Sequence, residues 1–194
     1  MITRKTVGVI FGALLLLLPS FAAPARATEA AWARLAQGGY TILLGHARTS
    51  GTGEPRRLDI GDCANRRPLS DRGIQEARRI SMRFAARAVA LNAVLSGEYC
   101  RALVTAELGF GEDRVETRPW LNPPAADTKP GFIPPELIAA VDNFNGYGNQ
   151  LMITHPVLIS AITGTVPREG EAIIIEPGPN PGDPPRVVNR LLLD

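Results

Sequence analysis

The run Tyr40-Thr41-Ile42-Leu43-Leu44-Gly45 is apolar at strand length with no polar alternation, which predicts a central strand covered on both faces. Two further short apolar runs, Ala93-Val94-Leu95-Ser96 and Leu151-Met152-Ile153-Thr154, have the same character. Helical periodicity separates them. Thr28 to Gln37 reads as an amphipathic helix stopped by Gly38-Gly39. Ile74, Ala77, Ile80, Phe84 and Ala88 recur at helical spacing behind a cap at Ser70 or Asp71. Tyr99 to Leu108 predicts another helix, Pro135 opens one that runs to about Phe144, and Val157 to Thr163 form a short one stopped by Gly164. Val115 sits in a short edge strand, and residues 171–176 and 186–192 form two closing strands around a proline-glycine turn. Residues 48–69 have no periodicity, and residues 119–135 hold six prolines, so both segments are expected to lack regular structure. Strand and helix alternate before a final hairpin. The expected class is α/β, with a mostly parallel central sheet, helices on both faces and antiparallel C-terminal strands.

The first 27 residues change the reading of charge. Arg4 and Lys5 precede the 12-residue apolar stretch Val7 to Leu18, Pro19 breaks it, and Ala25-Arg26-Ala27 offers a small-x-small cleavage site. The stretch is shorter than the roughly 20 residues that span a bilayer, so a cleaved export signal is expected ahead of a membrane anchor. The product would be periplasmic or secreted, with no membrane attachment after cleavage. All three charged residues of this segment are basic, so the remaining chain carries a net charge near −1 instead of the +2 of the whole. That balance, with no dense basic patch interleaved with aromatics, gives no support to nucleic-acid binding. Residues 28–194 suit one domain. Cys63 and Cys100 are the only cysteines, and in an oxidising compartment an even pair joins as a disulfide. Two separate buried thiols are the alternative.

Candidate chemistry gathers at strand ends. The only two histidines, His46 and His155, each close an apolar strand, and Arg101 follows a third. Ligands of open α/β sheets bind outside strand carboxyl ends, so loops there can bring these side chains together. The segment Leu43-Leu44-Gly45-His46-Ala47-Arg48-Thr49 resembles the opening motif of the histidine phosphatase (phosphoglycerate mutase-like) superfamily. Asp62 to Gly73, ending Leu69-Ser70-Asp71-Arg72-Gly73, is similar to that family's loop and helix start, and Gln75 and Ala77 continue it. Ser96 to Ala102 with Thr105-Ala106 resembles its strand–Ser–Arg–Ala segment, and Leu151 to His155 its second-histidine strand, with Gly164 after the helix that follows. The resemblance spans residues 40 to 176, and the paired cysteines resemble its exported bacterial branch.

The resemblance implies hydrolysis of a phosphate monoester through a phosphohistidine at His46. A neutral imidazole would attack phosphorus, with one ring nitrogen free and the other held by a backbone acceptor. Arg101 would present its fork of donors to the phosphoryl oxygens, and His155 would donate from across the pocket. No metal or organic cofactor is implied, and the expected partner is a small phosphorylated molecule or phosphate. Ser96 and Thr105 are read as cap and packing residues. The chain departs from the pattern at three places. Gly45 stands where an Arg is expected, leaving Arg48, Arg66 and Arg67 as candidates to bind substrate in its stead. Pro156 stands where the family carries Gly or Asp. Residues 118–123 hold no carboxylate for the leaving group, which leaves Glu98 as the candidate acid. The alternative expectation is a non-catalytic member that binds phosphate, or another anion, or stabilises a partner.

Overall fold

Strands β1 (Thr41–Gly45), β2 (Leu91–Ser96), β3 (Val115–Thr117), β4 (Asn149–Thr154), β5 (Glu171–Glu176) and β6 (Arg186–Leu192) join in one sheet, ordered β3-β2-β4-β1-β5-β6. The computed structural model describes residues 23–51, 63, 67–125 and 127–193, with side chains from residue 28 onward. The export segment expected over residues 1–27 lies outside them, except that Ala23–Ala27 extend the first helix. The four strands β3, β2, β4 and β1 run parallel, and β5 and β6 complete the sheet in antiparallel fashion. This is the mixed architecture expected from the sequence.

Two helical layers explain the unbroken apolar strands. Helices α1 (Ala23–Gln37), α2 (Asp71–Ala86) and α3 (Cys100–Phe110) pack Trp32, Leu35, Ile80, Phe84 and Ala106 against Ile42, Leu44, Leu151 and Ile153. Helices α4 (Pro135–Asp142) and α5 (Pro156–Thr163) pack Leu137, Val141, Leu158 and Ile159 against Leu43, Met152, Ile173 and Ile175 on the other side. Because strand side chains alternate, β1 must be apolar at every position to serve both layers. Each fully buried Leu or Ile contributes about 1.5–3 kcal/mol, so covering both faces outweighs the gain from any surface ion pair. The edge strands differ. Glu116 and Thr117 of β3 and Arg186 of β6 are exposed, which suits edges that must not recruit a further strand.

Two local features set up the loops above the sheet. Ser70 is the helix cap, accepting the Gly73 N–H at 3.1 Å, and Asp71 adds negative charge in the first turn of α2. Gly73 is required by proximity, because a Cβ there would collide with the Arg48 carbonyl. The segment 119–135, expected to be irregular, contains one turn of 3-10 helix at Pro119–Leu121. Its Leu121 is fully buried, and the Leu121 carbonyl accepts the Thr154 hydroxyl, so apolar anchoring orders a stretch that proline content alone leaves irregular. Cys63 and Cys100 form a disulfide with Cα atoms 5.5 Å apart, tying the loop before α2 to the first residue of α3. Closing a loop of this length contributes about 3–4 kcal/mol by chain entropy.

Candidate active site

The register of β1 against β4 decides where the histidines lie. Gly45 stands opposite Thr154, and the His46 N–H extends the ladder to the Thr154 carbonyl at 2.9 Å. His46 and His155 therefore leave adjacent parallel strands side by side, with ring centroids 5.2 Å apart and edges meeting faces. On the other side of β4, Ser96 pairs with Ile153, and the Gly97 N–H bonds the Ile153 carbonyl at 3.0 Å. The chain then turns through Glu98 and Tyr99 into α3, which delivers Arg101 to the same strand ends. The Tyr99 ring lies 5.1 Å from that of His155, and the Arg101 guanidinium sits 4.9 Å from the Tyr99 centroid. Thr105 joins the two loops, since its hydroxyl accepts the Ala47 N–H at 3.0 Å and donates to the Arg101 carbonyl at 2.6 Å. The Thr105 hydroxyl proton is thereby committed to the Arg101 carbonyl.

His46 is held in one tautomer. Its Nδ1 lies 2.9 Å from the Ala47 carbonyl, which can only accept, so Nδ1 carries the proton and Nε2 presents a lone pair. Burial pushes its pKa from 6.5 to about 4; the Ala47 hydrogen bond opposes this, and the positive charges of Arg101 and Arg67 add to it. That shift is on the order of 3 kcal/mol against the charged form. His155, only 3% exposed, is pushed further, to about 2, by burial first and then by Arg101, His46 and Arg67. Its Nε2 is buried without a hydrogen-bond partner among the described residues. A buried donor or acceptor left unmatched costs about 1–3 kcal/mol, a deficit that a ligand oxygen would remove.

The remaining candidates separate. Arg67 acts electrostatically on both histidines, and its Nε is likewise buried without a partner among the described residues. It lies four residues after Cys63, whose disulfide partner Cys100 directly precedes Arg101. Arg48 turns elsewhere. Its Nε pairs with Glu169 at 2.8 Å and Glu76 at 3.7 Å, and its N–H bonds Glu76 at 3.1 Å. The arginine three residues after Gly45 is thus engaged by carboxylates, whereas the distant Arg67 lies near the histidines. Arg66 lies outside the described residues. Glu98 is gripped by Asn122, whose amide donates to the carboxylate at 2.8 Å and whose carbonyl oxygen accepts the Glu98 N–H at 2.7 Å. Sequence reading found no carboxylate at 118–123, and it missed that Asn122 from this stretch holds one. Tyr99 was also missed, because nothing in its spacing distinguishes it from an ordinary aromatic at a helix start.

Two guanidinium groups and two neutral imidazoles at strand ends, with two polar atoms unmatched, make a setting for an oxyanion. Among the described residues no group of three His, Cys, Asp or Glu side chains is placed to hold a metal ion.

No protein-family model matches the sequence, and no curated protein is similar to it by sequence. Solved structures are similar in fold. The protein histidine phosphatase SixA complexed with tungstate matches with a TM-score of 0.56 at 18% identity, over 79% of this chain and 96% of that one. Phosphoserine phosphatase from Entamoeba histolytica, in complex with 3-phosphoglyceric acid, matches with a TM-score of 0.56 at 13% identity, over 78% and 96%. YhfR from Bacillus stearothermophilus matches with a TM-score of 0.54 at 21% identity, over 77% and 95%. The chain has the histidine phosphatase fold.

Within this histidine phosphatase fold, both imidazoles are expected to stay neutral far below their usual range. The rings of His46 and His155, followed by nuclear magnetic resonance, should show no protonation between pH 8 and 5 in the ligand-free protein; a midpoint near 6.5 would contradict the burial argument. Stability should follow the same sign. Both folded values lie below the 6.5 of the unfolded chain, so the unfolded chain binds more protons at mildly acidic pH. The contribution is complete above about pH 6.5 and is lost as pH falls toward 4, by about 1.4 kcal/mol per pH unit for each histidine. Urea midpoints measured across that range check it.

Proposed function

We propose that the protein hydrolyses a phosphate monoester through a phosphohistidine at His46. The observation that carries this reading is the fixed His46 tautomer, with its free Nε2 beside His155, Arg101 and Arg67. In the first step Nε2 of His46 bonds phosphorus as the phosphorus–oxygen bond to the leaving group breaks. Arg101, Arg67 and His155 bind the three equatorial oxygens and stabilise their charge in the transition state. Glu98, oriented by Asn122, gives its proton to the leaving oxygen. In the second step water attacks phosphorus, its proton passes to Glu98, and His46 is released. Arg67 takes the part left empty at Gly45, supplying from a loop what the strand end lacks.

The protein would work outside the cytoplasm as a soluble, cofactor-free enzyme, with residues 1–27 removed as an export signal. Support comes from the disulfide. Among the described residues no helix is long and apolar enough to cross a membrane.

Gly45 favours a second reading, in which the same cluster binds phosphate without turning an ester over. Assaying the purified protein against an aryl phosphate, beside calorimetric titration with inorganic phosphate, separates the two. Turnover above the buffer rate supports the enzyme. Phosphate binding without turnover supports the second reading, and neither result rejects both.

A further inference from the structure

A groove about 590 Å³ in volume runs along the outer face of α5. This helix is apolar nearly all round. Leu158, Ile159 and Ile162 face the core, while Val157, Ser160 and Ala161, with the capping Gly164, line the groove, the Ser160 hydroxyl donating back to the Pro156 carbonyl. A helix with two apolar faces belongs between two layers, yet among the described residues Val157 remains 56% exposed. The opposite wall comes from the 119–135 segment, with Pro124, Lys129 and Phe132, the last 45% exposed. The prolines there hold the wall's shape in advance, which reduces the ordering cost of binding.

Both walls of the groove begin within two residues, along the chain, of residues at the candidate active site. Val157 follows His155 by two residues at the first turn of α5, and Pro124 follows Asn122, which grips Glu98, by two. The lining from Val157 to Gly164 leads away from the histidines for about 10 Å. The lining is mostly apolar, and its one charged residue is Lys129.

We propose that this groove receives the leaving group of the substrate, and that the substrate is a phosphate monoester of an extended apolar alcohol, alkyl or aryl. The proposal rests on the phosphatase reading for the position of the phosphoryl group, but its apolar recognition can be measured without turnover. Straight-chain alkyl phosphates from ethyl to hexyl are suitable probes, because chain length changes the buried area while leaving the chemistry at oxygen nearly constant. Burying each methylene is worth about threefold to fourfold in affinity, so hexyl phosphate should bind about a hundredfold more tightly than ethyl phosphate by calorimetry. Its kcat/KM should be higher by a similar ratio. Val157→Asp and Phe132→Ser each alter an exposed position, and both should bring the hexyl-to-ethyl ratio close to one; thermal melting shows that the variants are folded.

Equal affinities across the series in the wild-type protein overturn the groove assignment, and hydrolysis seen alongside them would leave the catalytic reading standing. Length-dependent affinity with no hydrolysis would retain the groove and remove catalysis. A concentration-dependent dimer that Phe132→Ser dissolves, with no length dependence, would give the groove to a second copy of the chain and overturn the proposal.

Discussion

His46→Ala is expected to bring aryl phosphate hydrolysis down to the buffer rate, a loss of about a thousandfold or more, with little change in melting temperature. Removing a covalent nucleophile costs more than removing a group that only stabilises charge, because the two-step route disappears with it. The backbone around His46 does not depend on the imidazole. Its N–H bonds Thr154 through the sheet ladder, and the ring's hydrogen bond goes to the neighbouring Ala47 carbonyl. Phosphate should still bind the variant, since Arg101, Arg67 and His155 remain. Calorimetry on the folded variant distinguishes lost chemistry from a lost site. Wild-type turnover in His46→Ala would place the nucleophile elsewhere.

The second large effect concerns the arginine that the strand end lacks. Arg67→Ala is expected to lower kcat/KM about a hundredfold, in line with loss of one donor from a charge-stabilising cradle at about 3 kcal/mol. Gly45→Arg in that background should restore most of the loss, while Gly45→Arg alone should raise the wild-type rate by no more than about tenfold. The backbone permits the substitution. Gly45 is not among the positive-φ glycines, and a Cβ there would meet only the Pro156 ring at ordinary contact distance, 3.7 Å. A charge at position 45 starts from β1 and one at 67 from the loop, so rescue requires that both reach the same oxygens. Steady-state kinetics on the four proteins forms a double-mutant cycle. Additive losses, with no rescue, would mean that Arg67 does not stand in for the missing side chain.

Much of the fold was legible because its signals are local. Ile42 to Leu44 had to be covered on both faces, Ser70 and Gly73 had to open a helix, and Gly164 had to end one, in the left-handed conformation it adopts at φ 69°. The pairing of the histidines was legible at one remove, since both follow apolar strands of an α/β sheet. What pattern could not provide was direction. Arg48 and Arg67 flank the same loop, yet buried Glu76 and nearby Glu169 engage the first while the charge of the second acts on both histidines. Those carboxylates are distant in sequence, and no periodicity connects them to Arg48. The Asn122–Glu98 clasp was hidden for the same reason, being a contact across 24 residues that depends on a 3-10 turn anchored by Leu121.

The most direct test is a crystal structure of the protein with vanadate, which adopts the five-coordinate geometry of phosphoryl transfer. The expected result is vanadium within bonding distance of His46 Nε2, with Arg67, Arg101 and His155 on its equatorial oxygens. Vanadate bound instead in the Arg48–Arg72–Arg79 cleft on α2, with His46 and His155 untouched, would contradict the account.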